Sequence, residues 1–151
     1  MTENTTFLIV GMILLITTVL VVTVVWLFFK MSKKLVSTSD FPRIAEEWPA
    51  FTTPPGTTFS RQNIALNTVW YKNCANVIIA EEGLYISLGF PVSLSTIRAV
   101  IIPWRNIRYL KKSCVFWTDV QEYQVTMENP VILTVYDRVA RSFPKDHRPV
   151  G

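Results

Sequence analysis

The sequence predicts an N-terminal transmembrane helix followed by a small α+β, mostly β domain: an antiparallel roll or partly open barrel with a short C-terminal helix. Three observations predict it. Half of the 151 residues are hydrophobic and only 17% are charged, against roughly 25% in an ordinary soluble domain. The apolar excess is concentrated in one uncharged run near the N-terminus, Phe7 to Phe29. Beyond Thr57, short alternating segments recur at intervals of about ten residues, punctuated by Gly, Pro and Asn.

The same arithmetic excludes several classes. Two cysteines and one histidine do not frame a disulfide miniprotein or a histidine-rich metal enzyme. Five glycines leave no room for a Gly-rich phosphate loop plus the turns of a fold. The apolar content is too high for wholesale disorder.

The run FLIVGMILLITTVLVVTVVWLFF holds 23 residues without a charge. At about 1.5 Å per residue it spans roughly 34 Å, enough for a hydrocarbon core of about 30 Å. Thr17, Thr18 and Thr23 are tolerated because a threonine hydroxyl bonds back to its own helix. Trp26 suits the interface. A cleaved signal peptide would need basic residues before a shorter run and small residues after it. Here Met1 to Thr6 carries only Glu3, and Lys30, Lys33 and Lys34 follow the run. The reading is a retained single-pass anchor over residues 7–29, with residues 1–6 as an extracytoplasmic tail. The three lysines put the C-terminal side in the cytoplasm by the positive-inside rule, where they meet anionic lipid. Cys74 and Cys114 are then reduced; 40 residues apart and without CxxC spacing, each reads as a buried structural thiol.

Residues 30–56 form a basic juxtamembrane connector with one short helix. Ser37, Ser39 and Asp40 are possible N-caps. Phe41, Ile44, Ala45 and Trp48 then fall on one apolar face that ends before Pro49. Residues 57–143 form the β domain. Strands are expected at 57–66, 68–71, 76–80, 84–88, 98–102, 107–118, 120–127 and 131–135. Glu81-Glu82-Gly83 makes one hairpin turn, with glycine where a positive φ is wanted. Leu84, Ile86 and Leu88 alternate with Tyr85 and Ser87, as on a strand with one buried face. Thr118-Asp119 centres a second hairpin. Residues 136–143 form a helical turn that covers an open corner, and residues 144–151 a polar tail.

Motifs of catalysis are lacking. There is no Gly-x-Ser-x-Gly, Walker loop or HExxH. His147, alone of its type, sits in the tail and reads as solvated. Glu46-Glu47 and Glu81-Glu82 are adjacent rather than held across a cleft, so they read as solvated pairs. No metal, cofactor or small-molecule substrate is expected.

A basic cluster stands out: Arg98, Arg105, Arg108, Lys111 and Lys112, with Trp104 and Tyr109 interleaved and no acidic residue between. Beside a cytoplasmic leaflet it would meet anionic headgroups; nucleic acid is the weaker alternative, with no recognisable module. The plain alternative is the solvated faces of two strands. Without the three juxtamembrane lysines and Glu3, twelve Lys/Arg stand against ten Asp/Glu, so the domain itself is close to neutral. Trp48, Trp70, Trp104, Trp117, Phe90 and Phe116 read mostly as core, and an exposed pair among them would mark a binding surface. Phe90, beside Pro91 in a loop, is the first aromatic contact expected at a binding surface.

Four stretches resemble a group of uncharacterised bacterial single-pass membrane proteins with a pleckstrin-homology-like (PH-like) soluble domain. They are Trp48 with its short helix, Tyr71-Lys72-Asn73-Cys74, Glu82-Gly83-Leu84-Tyr85-Ile86-Ser87, and Ile102-Pro103-Trp104-Arg105-Asn106-Ile107. The similarity covers residues 40 to about 135. The group's usual His-Pro-Pro before the last element is replaced here by Thr96-Ile97-Arg98-Ala99. The resemblance implies a seven-stranded bent sheet with a capping helix in a bacterial inner-membrane protein. It implies no activity, because this scaffold hosts lipid, peptide and protein binding alike.

The expectation is a non-enzymatic, membrane-tethered interaction module. Its cytoplasmic domain binds a protein partner or the anionic membrane surface. The alternative is an accessory subunit of a larger membrane complex, held through the transmembrane helix. Gly11 is the only glycine of that helix and no GxxxG is present, so helix packing leaves no strong sign.

Overall fold

The structure, a computed structural model, describes residues 2–37, 39–89 and 98–148; side chains at 2–6, 32, 33 and 35–37 are outside that description. The chain divides into two compact units, residues 1–35 and 36–151. Helix α1 runs Thr2–Ser37. Within it, Phe7–Met31 is long and apolar enough to cross a membrane, and every side chain of that stretch is exposed. Its threonines behave as expected. The hydroxyl of Thr18 donates to the Leu14 carbonyl at 2.8 Å and that of Thr23 to the Val19 carbonyl at 2.8 Å.

The second unit opens with α2, Phe41–Glu47. Pro42 fits its first turn, where a backbone N–H has no helical partner. Asp40 stands at the N-cap position but does not cap with its side chain. Its carboxylate instead accepts from Arg43 at 2.6 Å and from Asn67 at 2.5 Å. The predicted apolar face docks: Phe41 and Ile44 are buried, with Ala45 and Trp48 packed against the same core. Burying two such side chains contributes about 1.5–3 kcal/mol each.

Seven strands follow: β1 Thr57–Leu66, β2 Val69–Ile79, β3 Gly83–Leu88, β4 Val100–Pro103, β5 Ile107–Val115, β6 Thr118–Val125 and β7 Val131–Tyr136. They form one antiparallel sheet, ordered β4-β3-β2-β1-β7-β6-β5, curled into a half-barrel. The four-residue helix α3, Asp137–Ala140, and a 3₁₀ turn, Lys145–His147, complete the unit. The inner face carries Ile64, Leu66, Val77, Ile86, Tyr123 and Leu133, closed over by Phe41, Val139 and Phe143.

Several local expectations are corrected. The two short strands at 68–71 and 76–80 are one strand, β2. The apparent break at Lys72-Asn73 is a bulge in β2 itself: Gln62 to Ile64 advances two residues of β1 against four of β2, Ala75 to Tyr71, while Phe59 to Gln62 carries one extra residue in β1. Asn73 takes a φ of 53° there, and its N–H donates to Asn63 Oδ1 at 2.6 Å. Gly83 has no positive φ. It is required instead by proximity, since a Cβ would lie 2.4 Å from the Ile102 carbonyl oxygen. Strand β3 is not buried on one face alone: Tyr85 is as buried as its neighbours, and its hydroxyl lies 3.5 Å from Thr53 Oγ1. The strand expected at 98–102 is β4, Val100–Pro103, with Pro103 its last residue, paired with Gly83.

The outer side of β4 is covered. Ile101 N–H donates to the Trp48 carbonyl at 3.1 Å, and Ala50 N–H to the Ala99 carbonyl at 2.8 Å. Among the described residues no strand lies on the outer side of β5. The corner between β4 and β5 is the 3₁₀ turn Trp104–Asn106. The Trp104 ring lies 5.1 Å from Phe143 and 5.4 Å from His147. His147 is therefore half-buried against an indole rather than a solvated tail residue.

Candidate interaction surface

The residues of the expected basic cluster lie on three consecutive segments: before β4, at the β4–β5 corner and on β5. Arg98 is exposed just before β4, with its guanidinium 5.6 Å from the exposed Phe51 ring. Arg105 and Arg108 are exposed at the corner and on β5, Arg108 opposite Gln124. The lysines are answered from β6: Lys111 Nζ lies 3.7 Å from Glu122 and Lys112 Nζ 2.6 Å from Asp119. No acid separates these cations in sequence, but antiparallel pairing supplies two. Pairs as exposed as these contribute little to stability, because solvent screens them. Lys30, Lys33 and Lys34 lie in the C-terminal part of α1, with Lys30 Nζ 4.9 Å from the Trp26 ring. Phe90 lies outside the described residues.

A different feature emerges at the β5–β6 hairpin. Val115 pairs with Thr118, so the turn consists of Phe116 and Trp117 alone, not Thr118-Asp119. Both have positive φ, 48° and 60°. This is the twist that two-residue hairpins require, and it is normally supplied by Asn-Gly. A side chain with a Cβ gives up about 1–2 kcal/mol in such a conformation. Both rings nevertheless point to solvent: Phe116 is 79% exposed and Trp117 is 96% exposed. Among aromatics expected mostly in the core, these two are an exposed pair. Lys72 Nζ lies 5.9 Å from the Phe116 ring. Backbone strain held at a solvent-facing pair is characteristic of a contact site.

The hairpin rests on an ordered base. Tyr109 hydroxyl donates to Gln121 Oε1 at 3.3 Å, Gln121 Nε2 donates to Asp137 Oδ1 at 2.9 Å, and Arg141 lies 2.6 Å from Asp137 Oδ2. The Gln121 hydrogen bond, with help from Arg141, holds the Asp137 carboxyl below its ordinary range, against the opposing effect of burial. Asp119 raises the Lys112 ammonium.

Signals for the tip existed in the sequence. Placing Lys111 opposite Glu122 centres the hairpin on Phe116-Trp117. Asp119 drew the expected turn two residues too far because aspartate is a strong turn former.

The thiols differ. Cys74 is buried, and desolvation raises its pKa, away from the thiolate that nucleophilic chemistry uses. Cys114 is exposed on β5, contrary to expectation, because an edge strand leaves that position uncovered. A cavity lined by Arg61, Asn73, Cys74, Asn76 and Gly89 lies beside the β1 bulge. Among the described residues no cluster of His, Cys, Asp and Glu is placed to hold a metal ion. Comparison with protein-family models, curated proteins and solved structures finds no match for this chain.

Proposed function

We propose that the chain is a non-enzymatic, membrane-tethered interaction module that works through the Phe116-Trp117 tip. Residues 7–29 anchor it in a bacterial inner membrane with the N-terminus outside, and the β domain lies in the cytoplasm. The observation that carries the reading is the strained, solvent-facing aromatic pair. Its tether supports it, since an anchored domain meets membrane-bound contacts at high effective concentration. A PH-like identity for the domain is supported by two antiparallel runs, β1–β4 and β5–β7, joined through β1 and β7, with a helix after the last strand.

Cys114, three residues from Trp117, is a native reporter. In native membranes the full chain should react with maleimide at Cys114 more slowly than the same chain in detergent. The double substitution Phe116→Ser and Trp117→Ser should remove that protection. Exchange of Phe7–Phe29 for an unrelated anchor should leave it intact. Equal labelling in membranes and detergent would sink the module reading. Loss of protection on anchor exchange would favour an accessory subunit packed through its helix. A cytoplasm-active reporter fused after Gly151 should work if the orientation is right, and an export-dependent one should not.

A further inference from the structure

We infer that the Phe116-Trp117 tip docks in the headgroup–acyl boundary of an anionic bilayer. This rests on the tip being the contact surface, and it names the occupant.

Shape favours a bilayer over a protein pocket. Interface hot spots lie inside a patch whose neighbouring contacts exclude water. Here the tip is a two-residue projection; Val115 before it is half-buried, and Cys114, Thr118 and Asp119 beside it are exposed and not large apolar residues. A projecting pair without such a ring is suited to a deformable apolar medium.

Chemistry favours the boundary layer. An indole prefers that depth, with its ring in the acyl region and its N–H toward the headgroups. Lys72 beside Phe116 places an ammonium where lipid phosphates would lie. The carboxylates of the hairpin do not oppose an anionic surface. Glu122 is answered by Lys111 and Asp119 by Lys112, and Arg108 leaves the hairpin with one cation in excess. The same chain carries a helix long and apolar enough to hold it at a bilayer.

The strain supplies a discriminating variant. Phe116→Asn with Trp117→Gly gives the turn the residues its backbone favours. That variant should unfold at a higher temperature than the native chain and still lose docking. A tip that served folding alone would show no loss of docking with this change.

The test uses the full chain, carrying Cys74→Ala and an environment-sensitive bimane on Cys114, in nanodiscs of equal phosphatidylcholine and phosphatidylglycerol with no other membrane protein. Nitroxides near the headgroup should quench the label more than nitroxides at the chain end. The Asn-Gly variant should lose that quenching, and pure phosphatidylcholine should weaken it. The Lys72→Gln variant should weaken it in the mixed bilayer only. Equal quenching in both bilayers would overturn the anionic component. Absence of quenching in nanodiscs, with Cys114 still protected in native membranes, would overturn bilayer docking and assign the tip to a protein. Absence of both would overturn the module reading itself.

Discussion

The indole N–H of Trp104 donates to the carbonyl oxygen of Ala80, 2.9 Å away, and so fastens the β4–β5 corner to the end of β2. The same ring packs edge-on against the fully buried Phe143. Trp104→Phe keeps the packing and leaves the Ala80 carbonyl short of this donor, so it should cost about 1 kcal/mol. Trp104→Ala removes both and should cost about 3 kcal/mol. Urea unfolding of the full chain in mild detergent measures the difference. Equal losses would mean that the hydrogen bond, not the ring, fixes the corner.

Gly83→Ala should destabilise by about 1–3 kcal/mol, the range for forcing extra volume into a packed site. The clash is with the Ile102 backbone, which cannot rotate away as a side chain tip would. The loss should appear as a lower thermal midpoint, with the β3–β4 amides exchanging fastest relative to the native chain. An unchanged midpoint would show that β4 yields freely.

Tyr123 tests the cost of a buried hydroxyl. Its oxygen has no hydrogen-bond partner among the described residues, while its ring packs 4.9 Å from Phe143 and 5.6 Å from Tyr109. Tyr123→Phe should therefore be neutral or stabilising by about 1 kcal/mol at neutral pH. Burial first, and then neighbouring Tyr109 and Asp137, raise its pKa above the ordinary tyrosine value. A group raised on folding contributes stability that is complete below its unfolded pKa of about 10 and lost as pH rises beyond it. The native chain should weaken more steeply than Tyr123→Phe above that pH; parallel curves would contradict the assignment. Burial also raises Tyr71, so part of the alkaline loss should persist in the variant.

Asp137 gives the opposite sign. Its carboxyl is depressed by Gln121 and Arg141. Its contribution is complete above the unfolded value of about 4 and is lost as pH falls through the lower folded value. Asp137→Asn should flatten the stability profile in that acid window and, by removing one of the charges that raise Tyr123, soften the alkaline limb slightly. Urea midpoints measured across the acid range would show it. A native profile that stays level below pH 4 would refute the linkage.

The order of elements was readable because it rests on strong local signals. The charge-free run over Phe7–Phe29 and the face made by Phe41, Ile44, Ala45 and Trp48 needed no tertiary information. The limits Thr57–Leu66 were also read as they stand. What failed was what sequence pattern does not encode. Lys72-Asn73 looked like a break because it bulges out of register with β1 while β2 continues through it, and register is not visible along one strand. Gly83 looked like a turn glycine because close backbone approach depends on β4. Phe116 and Trp117 looked like core because apolar aromatics usually are, and their exposure follows from a register that only β6 defines. The carboxylate partners of Lys111 and Lys112 could not be read beside them because they lie across a hairpin.

The clip formed by Trp48 to Ala50 also sets a valence. A sheet grows by hydrogen bonding at an unpaired margin, and one margin here is already occupied by the chain's own backbone. Pairing between two copies through β5 would use the margin each has left, so such association would close at two molecules and could not propagate into a ribbon.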